Sequence, residues 1–407
     1  MSGRRVLVLA DDLTSATEAA GRMGSPAHGA TVLLEPLSGP SLCGTDRGCV
    51  VTGSRGLSAP DAVAIVEQCL RRHLDDDRPL PIIVKTMDSS LRGQWAAELA
   101  AMMRTLSLSL AVVAPAFPAY GRVSRGGVQY AYGVPVHAGP AGRDPRTPVS
   151  SSDIGIHLQR AGLQVVQVAR PSHDGGLRLS RLVQSERDAP TALVIDAEDD
   201  EDLELVARHV GIGRDLVCCA GPGLAQQIVG GAVAAHPSAP PRGQTSLGVI
   251  GSLHPATRAQ IEHARARGIT VVTVTDGART ISRDVVHALR TSGRAVLASP
   301  PARVDNPDGL VASVVASVLV ALPETALVLS GGDTALSVCT HLGARNIVIT
   351  GEWATGIPFG RLDNDLGTVV VTKAGGFGGE DAMTLLLDAM TTPDIVAPRG
   401  NRHGGVA

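Results

Sequence analysis

The stretch Val6-Leu-Val-Leu-Ala-Asp-Asp-Leu-Thr-Ser-Ala-Thr-Glu-Ala-Ala-Gly-Arg-Met-Gly24 decides the fold. Its five apolar residues, Val6 to Ala10, are too few for a helix and rich in Val and Leu, which predicts a strand buried on both faces. Ser15 with Glu18 three positions on has capping-box spacing, and Gly24 suits a C′ stop, so a helix is expected from about Ala16 to Met23. Asp11 and Asp12 fall between strand and helix. Paired carboxylates at the carboxyl edge of a buried strand are poor for stability and well placed for chemistry, because open α/β sheets bind ligands in that crevice. The competing explanation has one capping the helix and the other solvated.

Working outward, strand-like runs recur at Cys49 to Thr52, Pro81 to Lys85, Ala111 to Ala114, Gln164 to Val168 and Leu193 to Asp196, alternating with helical patterns such as Asp61 to Leu70. This alternation predicts a parallel sheet with crossover helices. After Leu216 to Ala220, the proline-dense segment Ala232 to Thr245 reads as a linker. A second series follows at Leu247 to Ile250, Ile269 to Val274, Ala295 to Ala298, Ala326 to Leu329, Ile347 to Thr350 and Thr368 to Lys373, enough for a sheet and core of its own. The expected fold class is α/β with two domains, each a mainly parallel sheet flanked by helices, and the active site in the cleft between them. The expected boundaries are a first domain at 1–232, a linker at 233–245, a second domain at 246–397 and a flexible tail at 398–407. The acidic run Glu198 to Asp202 and the triplet Asp75 to Asp77 read as solvated faces.

The 407 residues carry a net charge of −3 with a pI near 6.5, which gives no reason to expect nucleic acid or an anionic membrane as partner. No run is long enough to span a bilayer and the opening residues lack the apolar core of a signal peptide, so a cytoplasmic protein is expected. Six cysteines (Cys43, Cys49, Cys69, Cys218, Cys219, Cys339) lack Cys-x-x-Cys pairing and read as small apolar residues. Of the 36 basic residues only Lys85 and Lys373 are lysines. A chain so biased toward Arg is expected to use Lys where a compact charge on a flexible stem is needed, and both lysines end a strand, so both are expected to approach a bound anion.

Chemistry-bearing residues gather at the strand ends. Lys85 leads into Thr86-Met-Asp-Ser-Ser-Leu-Arg-Gly93, where Arg92 could fork onto a carboxylate while Asp88, Ser89 and Ser90 meet hydroxyls. Ser54-Arg55 and Ala116 to Arg122 add cations at corresponding strand ends. In the second half the ends are glycine turns: Gly251-Ser252, Ser330-Gly331-Gly332-Asp333-Thr334, and Lys373-Ala-Gly375-Gly376-Phe-Gly-Gly379. Such turns let backbone approach a ligand, and helix N-termini offer N–H donors to phosphate oxygens. The P-loop signature is absent, and Gly221-Pro-Gly223 does not continue as a dinucleotide fingerprint. One half gripping an anionic polyol, another holding a polyphosphate, and carboxylates between them describe a small-molecule kinase: Asp11 or Asp12 takes the hydroxyl proton or holds Mg²⁺, and the glycine turns with Lys373 stabilise the phosphoryl group.

At these residues the chain resembles the four-carbon acid sugar kinase family. The resemblance rests on Ala10 to Thr14, Lys85 to Gly93, Pro115 to Pro118 with Gly121-Arg122, Gly251-Ser252 with Thr257, Gly331 to Thr334, Gly356 to Pro358 and Lys373 to Gly378. It implies ATP-dependent phosphorylation of threonate, erythronate or 3-oxo-tetronate at the terminal hydroxyl, with an N-terminal acid-sugar domain and a C-terminal nucleotide domain. It implies nucleotide contacts at Ser252, Gly331, Gly332, Asp333, Thr334 and Gly375, to which the reading of the last glycine turn adds Lys373 and Gly376. Catalytic roles would fall on Asp11, Asp12, Lys85 and Asp88, with Arg55, Ser89, Ser90 and Arg92 binding substrate; the cofactors are ATP and Mg²⁺, without an assigned metal ligand. Ser15, Ser90 and Thr355 stand where the family usually has Gly, Thr and Pro. Expected partners are the sugar acid and ATP, with no nucleic acid or membrane, and a homodimer is compatible with this reading. The alternatives are an NAD-dependent dehydrogenase of a small hydroxy acid and a non-catalytic two-domain ligand sensor.

Overall fold

The structure, a computed structural model, describes residues 5–24, 29–43, 45–74, 77–172, 176–185, 187–209, 215–230, 238–274, 278–300 and 307–392. The expected tail at 398–407, the linker residues 233–237, and Asp75 and Asp76 lie outside these described residues. In the first half the strands are β1 (Val6–Ala10), β2 (Ala30–Leu33), β3 (Arg47–Val51), β4 (Ile82–Thr86), β5 (Leu110–Ala114), β6 (Arg122–Arg125), β7 (Val128–Ala131), β8 (Val134–Pro135), β9 (Gln164–Val168), β10 (Thr191–Ile195) and β11 (Val217–Ala220). The second half adds β12 (Thr245–Ile250), β13 (Thr270–Thr273), β14 (Arg294–Ala298), β15 (Thr325–Ser330), β16 (Asn346–Ala354), β17 (Ile357–Leu362) and β18 (Val369–Lys373).

Among the described residues fifteen strands form one sheet in the order β13-β14-β12-β15-β18-β17-β16-β2-β3-β1-β4-β11-β5-β10-β9, and β6-β7-β8 form a small antiparallel sheet. Each half contributes a parallel block, as helix-alternating apolar runs require. The blocks are joined edge to edge. β16 pairs antiparallel with β17 and with β2, Asn346 opposite Leu33 and Ile349 opposite Ala30. Neither β2 nor β17 stands out in the sequence: β2 is only four residues, and β17 carries Pro358 and Gly360, which argue against a strand.

On one face of the sheet a single apolar cluster runs from Val8 and Ala20 in the first half to Leu247, Leu329 and Val370 in the second. On the other face each half has its own cluster, around Trp95 and Leu99 in the first and around Ile250 and Met383 in the second. The expectation of a separate core in each half is thus corrected on one face, because the helix following β1 packs on both halves.

That helix is Leu13–Met23, starting earlier than the sequence suggests. Asp12 is the N-cap, its Oδ1 accepting the Ser15 N–H at 2.9 Å, so the capping box at Ser15 and Glu18 does not form. Asp is as good a cap as Ser, and Asp12 has the extended backbone a cap needs. Gly24 sits at φ −76°, an extended exit and not a left-handed stop. The acidic run is corrected too. Asp202 is fully buried and accepts from Arg170, Ser172 and the Glu198 amide, an ion-paired loop clamp where a solvated face was expected. The cysteines are unpaired, and all but Cys43 are buried.

Candidate active site

β1, β3 and β4 lie side by side, so the turns after them open at one sheet edge. Arg55, beyond β3, forks onto Asp11, Nε to Oδ2 and Nη2 to Oδ1 both at 2.9 Å, while its Nη1 meets Asp12 Oδ2. Asp12 Oδ2 also accepts from Thr14 Oγ1 at 3.1 Å. Burial alone would raise the Asp11 carboxyl, but Arg55 and Lys85 hold it below its ordinary range. Arg55 guards the neighbouring carboxylates against their mutual repulsion.

The turn after β4 is compact. Leu91 is left-handed at φ +65°, Gly93 follows at +87°, and a Cβ on Gly93 would come within 3.2 Å of Asp11 Oδ2. Arg92 forks onto Asp88 at 2.8 and 3.1 Å and reaches Asp144 Oδ2 at 3.2 Å. Despite its burial, Asp88 is held well below the usual carboxylate range by Arg92. Arg92 was expected to grip a ligand carboxylate; its fork is already spent on Asp88. Ser89 is buried and Ser90 half-buried in the same turn.

Lys85 differs from its expectation more sharply. Its Nζ sits 3.0 Å from Glu98 Oε2, both side chains fully buried, and donates to the Thr86 carbonyl at 2.7 Å. Burial would lower this lysine, but Glu98 and Asp11 keep it raised and charged. Glu98 also accepts from Ser54 Oγ, which contacts Thr52 Oγ1 at 2.7 Å. Lys85 therefore faces an internal partner and not an open anion site. The sequence carries a signal for Glu98: one carboxylate among the apolar residues Trp95 to Met103 implies a buried cation opposite.

The glycine turns of the second half close on one another. A Cβ at Gly251 would lie 1.7 Å from Thr334 Oγ1, one at Gly375 1.9 Å from Ser252 Oγ, and one at Gly331, where φ is +107°, 3.3 Å from the Ser252 amide nitrogen. Glycine at 251 and 375 leaves room for the Thr334 and Ser252 side chains, and glycine at 331 takes the left-handed φ. Thr257 Oγ1 donates to the Gly375 carbonyl at 2.5 Å, and Thr334 Oγ1 donates to Asp308. Lys373 is fully buried, donating to Ser330 Oγ and the Ala374 carbonyl at 3.2 Å each. Burial brings its pKa down to about 7.

The two sets meet. A Cβ on Gly332 would sit 2.9 Å from Asp12 Oδ2 and 3.2 Å from its Cγ, so the first-half carboxylate abuts the second-half glycine turn. Thr372 Oγ1 donates to Thr17 Oγ1 at 2.8 Å, and Arg22 pairs with Glu352 at 3.0 Å. Tyr120 stacks on Phe377 at 4.0 Å and donates to the Thr355 carbonyl at 3.1 Å. Arg146 reaches Asp333, whose carboxyl is raised by burial and by Asp12 and Asp308 despite that arginine. Glu18, buried beneath Asp12, is raised well above its ordinary range by desolvation and by Asp12. Arg146 and Tyr120 are not singled out by the sequence, since their partners, Asp333 and Thr355, lie far along the chain; Glu18 is singled out only as a capping residue.

Two family models match, described as a sugar-binding N-terminal domain over residues 6–228 and a nucleotide-binding C-terminal domain over residues 247–383. The chain is 31% identical to a D-threonate kinase of Bordetella bronchiseptica, covering 94% of this chain and 96% of that one. It is 26% identical to a D-erythronate kinase of Heliobacterium modesticaldum, over 95% and 97% of the two chains. A 3-oxo-tetronate kinase of Methylobacterium radiotolerans is 27% identical over 94% and 98%. Among solved structures, a Salmonella typhimurium protein superposes with a TM-score of 0.73 at 19% identity, covering 96% of this chain and all of that one, and a Haemophilus influenzae protein with 0.69 at 19% over 94% and 98%, a likeness of fold. Among the described residues no helix is long and apolar enough to cross a membrane.

Proposed function

Because this chain belongs to the four-carbon acid sugar kinase family, phosphotransferases with an alcohol group as acceptor, we propose that it transfers the γ-phosphoryl group of ATP to the terminal hydroxyl of a four-carbon sugar acid. The observation that carries this reading is the approach of Asp12 to Gly332, which brings a candidate base against a phosphate-type turn. The substrate half extends to about residue 232 and the nucleotide half begins near 246, with the site along their seam.

Asp11 and Asp88, kept ionised by Arg55 and Arg92, accept hydrogen bonds from the acid's hydroxyls, with Ser89 and Ser90 beside them. Asp12, oriented by Ser15, Thr14 and Arg55, takes the proton of the attacking hydroxyl. Lys85 acts through Asp11, whose ionised form it favours. Ser252, Gly331, Gly332, Thr334, Gly375 and Gly376 surround the phosphates, and Lys373 supplies charge. Asp333, an oxygen donor on the turn itself that pairs with Arg146 in the structure, would be the Mg²⁺ ligand, with Asp12 and Asp308 lending negative charge nearby. When bound, the ion would neutralise charge on the phosphate oxygens.

The test is ADP release from ATP and Mg²⁺ with D-threonate, D-erythronate and 3-oxo-tetronate in turn. Release that depends on at least one acid is expected, and Asp12→Asn should lower kcat by about 10²-fold or more. Folded wild-type protein that turns over none of them would overturn the proposal.

A further inference from the structure

The turn after β12 carries a side chain that the phosphate reading leaves unused. His254 is the N-cap of the helix Pro255–Ala266: its ring Nδ1 accepts the Ala256 N–H at 3.2 Å, and its backbone N–H donates to Ser252 Oγ at 3.2 Å. A ring nitrogen that accepts from a backbone amide holds no proton, so the neutral ring carries its proton on Nε2. That edge of the ring lies over the glycine loop. A Cβ at Gly376 would be 3.3 Å from both Cε1 and Nε2, next to the Gly375 position that Ser252 crowds. Ser252 and His254 therefore pack side by side against the Gly375-Gly376 loop.

The ring is also kept uncharged. Burial lowers its pKa, and Arg122, Arg92 and Lys373 lower it further, two of these cations coming from the substrate half. At a site crowded with cations, a neutral imidazole contributes a directed N–H without adding repulsion.

We infer that His254 is a phosphate-binding residue, its Nε2–H donating to an oxygen of the phosphate chain held between the Ser252 turn and the Gly375-Gly376 loop. The inference rests on the nucleotide-binding reading of this half. His254→Asn keeps a side-chain acceptor for the helix cap and loses the donor at the Nε2 position; His254→Gln places an amide donor near Nε2 and weakens the cap. With ATP and the best acid acceptor, His254→Asn is expected to lower kcat/KM for ATP at least about tenfold with a thermal midpoint close to wild type. His254→Gln should recover part of that loss while melting lower. The inference is overturned if His254→Asn matches wild type in kcat and KM, or if activity across the two variants simply follows thermal stability. Calorimetry with ATP on wild type separates the two failures: wild type that binds no nucleotide overturns the kinase reading together with this one, whereas tight binding with silent variants overturns this one alone.

Discussion

The buried pair of Lys85 and Glu98 can be tested by a double-mutant cycle with Lys85→Met, Glu98→Leu and the two combined. Both side chains are fully buried, with Nζ and Oε2 3.0 Å apart. At the effective dielectric of about 20 that suits protein sites, this separation corresponds to roughly 5 kcal/mol of attraction, gained against the desolvation of both ions. Removing either partner strands the other charge in an apolar layer and should cost about 3–5 kcal/mol, whereas replacing both by apolar residues of similar volume should cost little. The expected interaction energy is therefore at least about 3 kcal/mol, read from urea unfolding of each variant at 25 °C. The same proteins titrated calorimetrically with the preferred sugar acid answer the functional half of the question. If Lys85 serves an internal partner, the double variant keeps its affinity within about tenfold while each single variant is badly destabilised. A double variant no more stable than its worse parent, or one that folds yet no longer holds the acid, would refute the reasoning and return Lys85 to the substrate.

Two further outcomes follow from the nucleotide half. Lys373, which burial brings to about 7, should be fully charged once a phosphate lies beside it, so nucleotide binding should take up protons: about 0.9 near pH 8 and about 0.1 near pH 6, measured by calorimetry in buffers of different ionisation heat. The sign for stability is the matching one: the unfolded lysine, near 10.5, holds more protons than the folded one between about 7 and 10.5, so this group's contribution to stability rises with pH across that window. Gly332→Ala should lower kcat by roughly 10–100-fold, because the added methyl would stand 2.9 Å from an Asp12 oxygen that Thr14, Ser15 and Arg55 hold in place; unchanged turnover would mean that Asp12 is free to withdraw.

What could be read from the chain follows from the range of each signal. The apolar runs that became β1, β4, β5 and β15 are legible because a strand buried on both faces is marked by a short apolar run. Asp11, Asp12, Arg55 and the glycine turns are legible because parallel strands carry their chemistry at their carboxyl ends, wherever the partner strand comes from. The pairing of β2 with β16 is not, since Ala30 to Leu33 looks the same whether it ends a sheet or continues into one. The same holds for charge. Arg92 and Lys85 show up as cations at strand ends, but only the fold reveals that Asp88 and Glu98 have already claimed them. Asp12 as a helix cap also falls within local range, since the Ser15 amide it accepts from is three residues away.

The edge-to-edge union of the two strand blocks bears on how the polypeptide is made. During synthesis β2 emerges some three hundred residues before β16, so until then its outer row of amides and carbonyls has no mate and the flank of the Leu13–Met23 helix has no cover. Such an edge invites strangers. A ribosome-bound or truncated first half should therefore be the aggregation-prone species of this protein, and co-expressing residues from 238 onward as a separate fragment should rescue its solubility by supplying the missing strand.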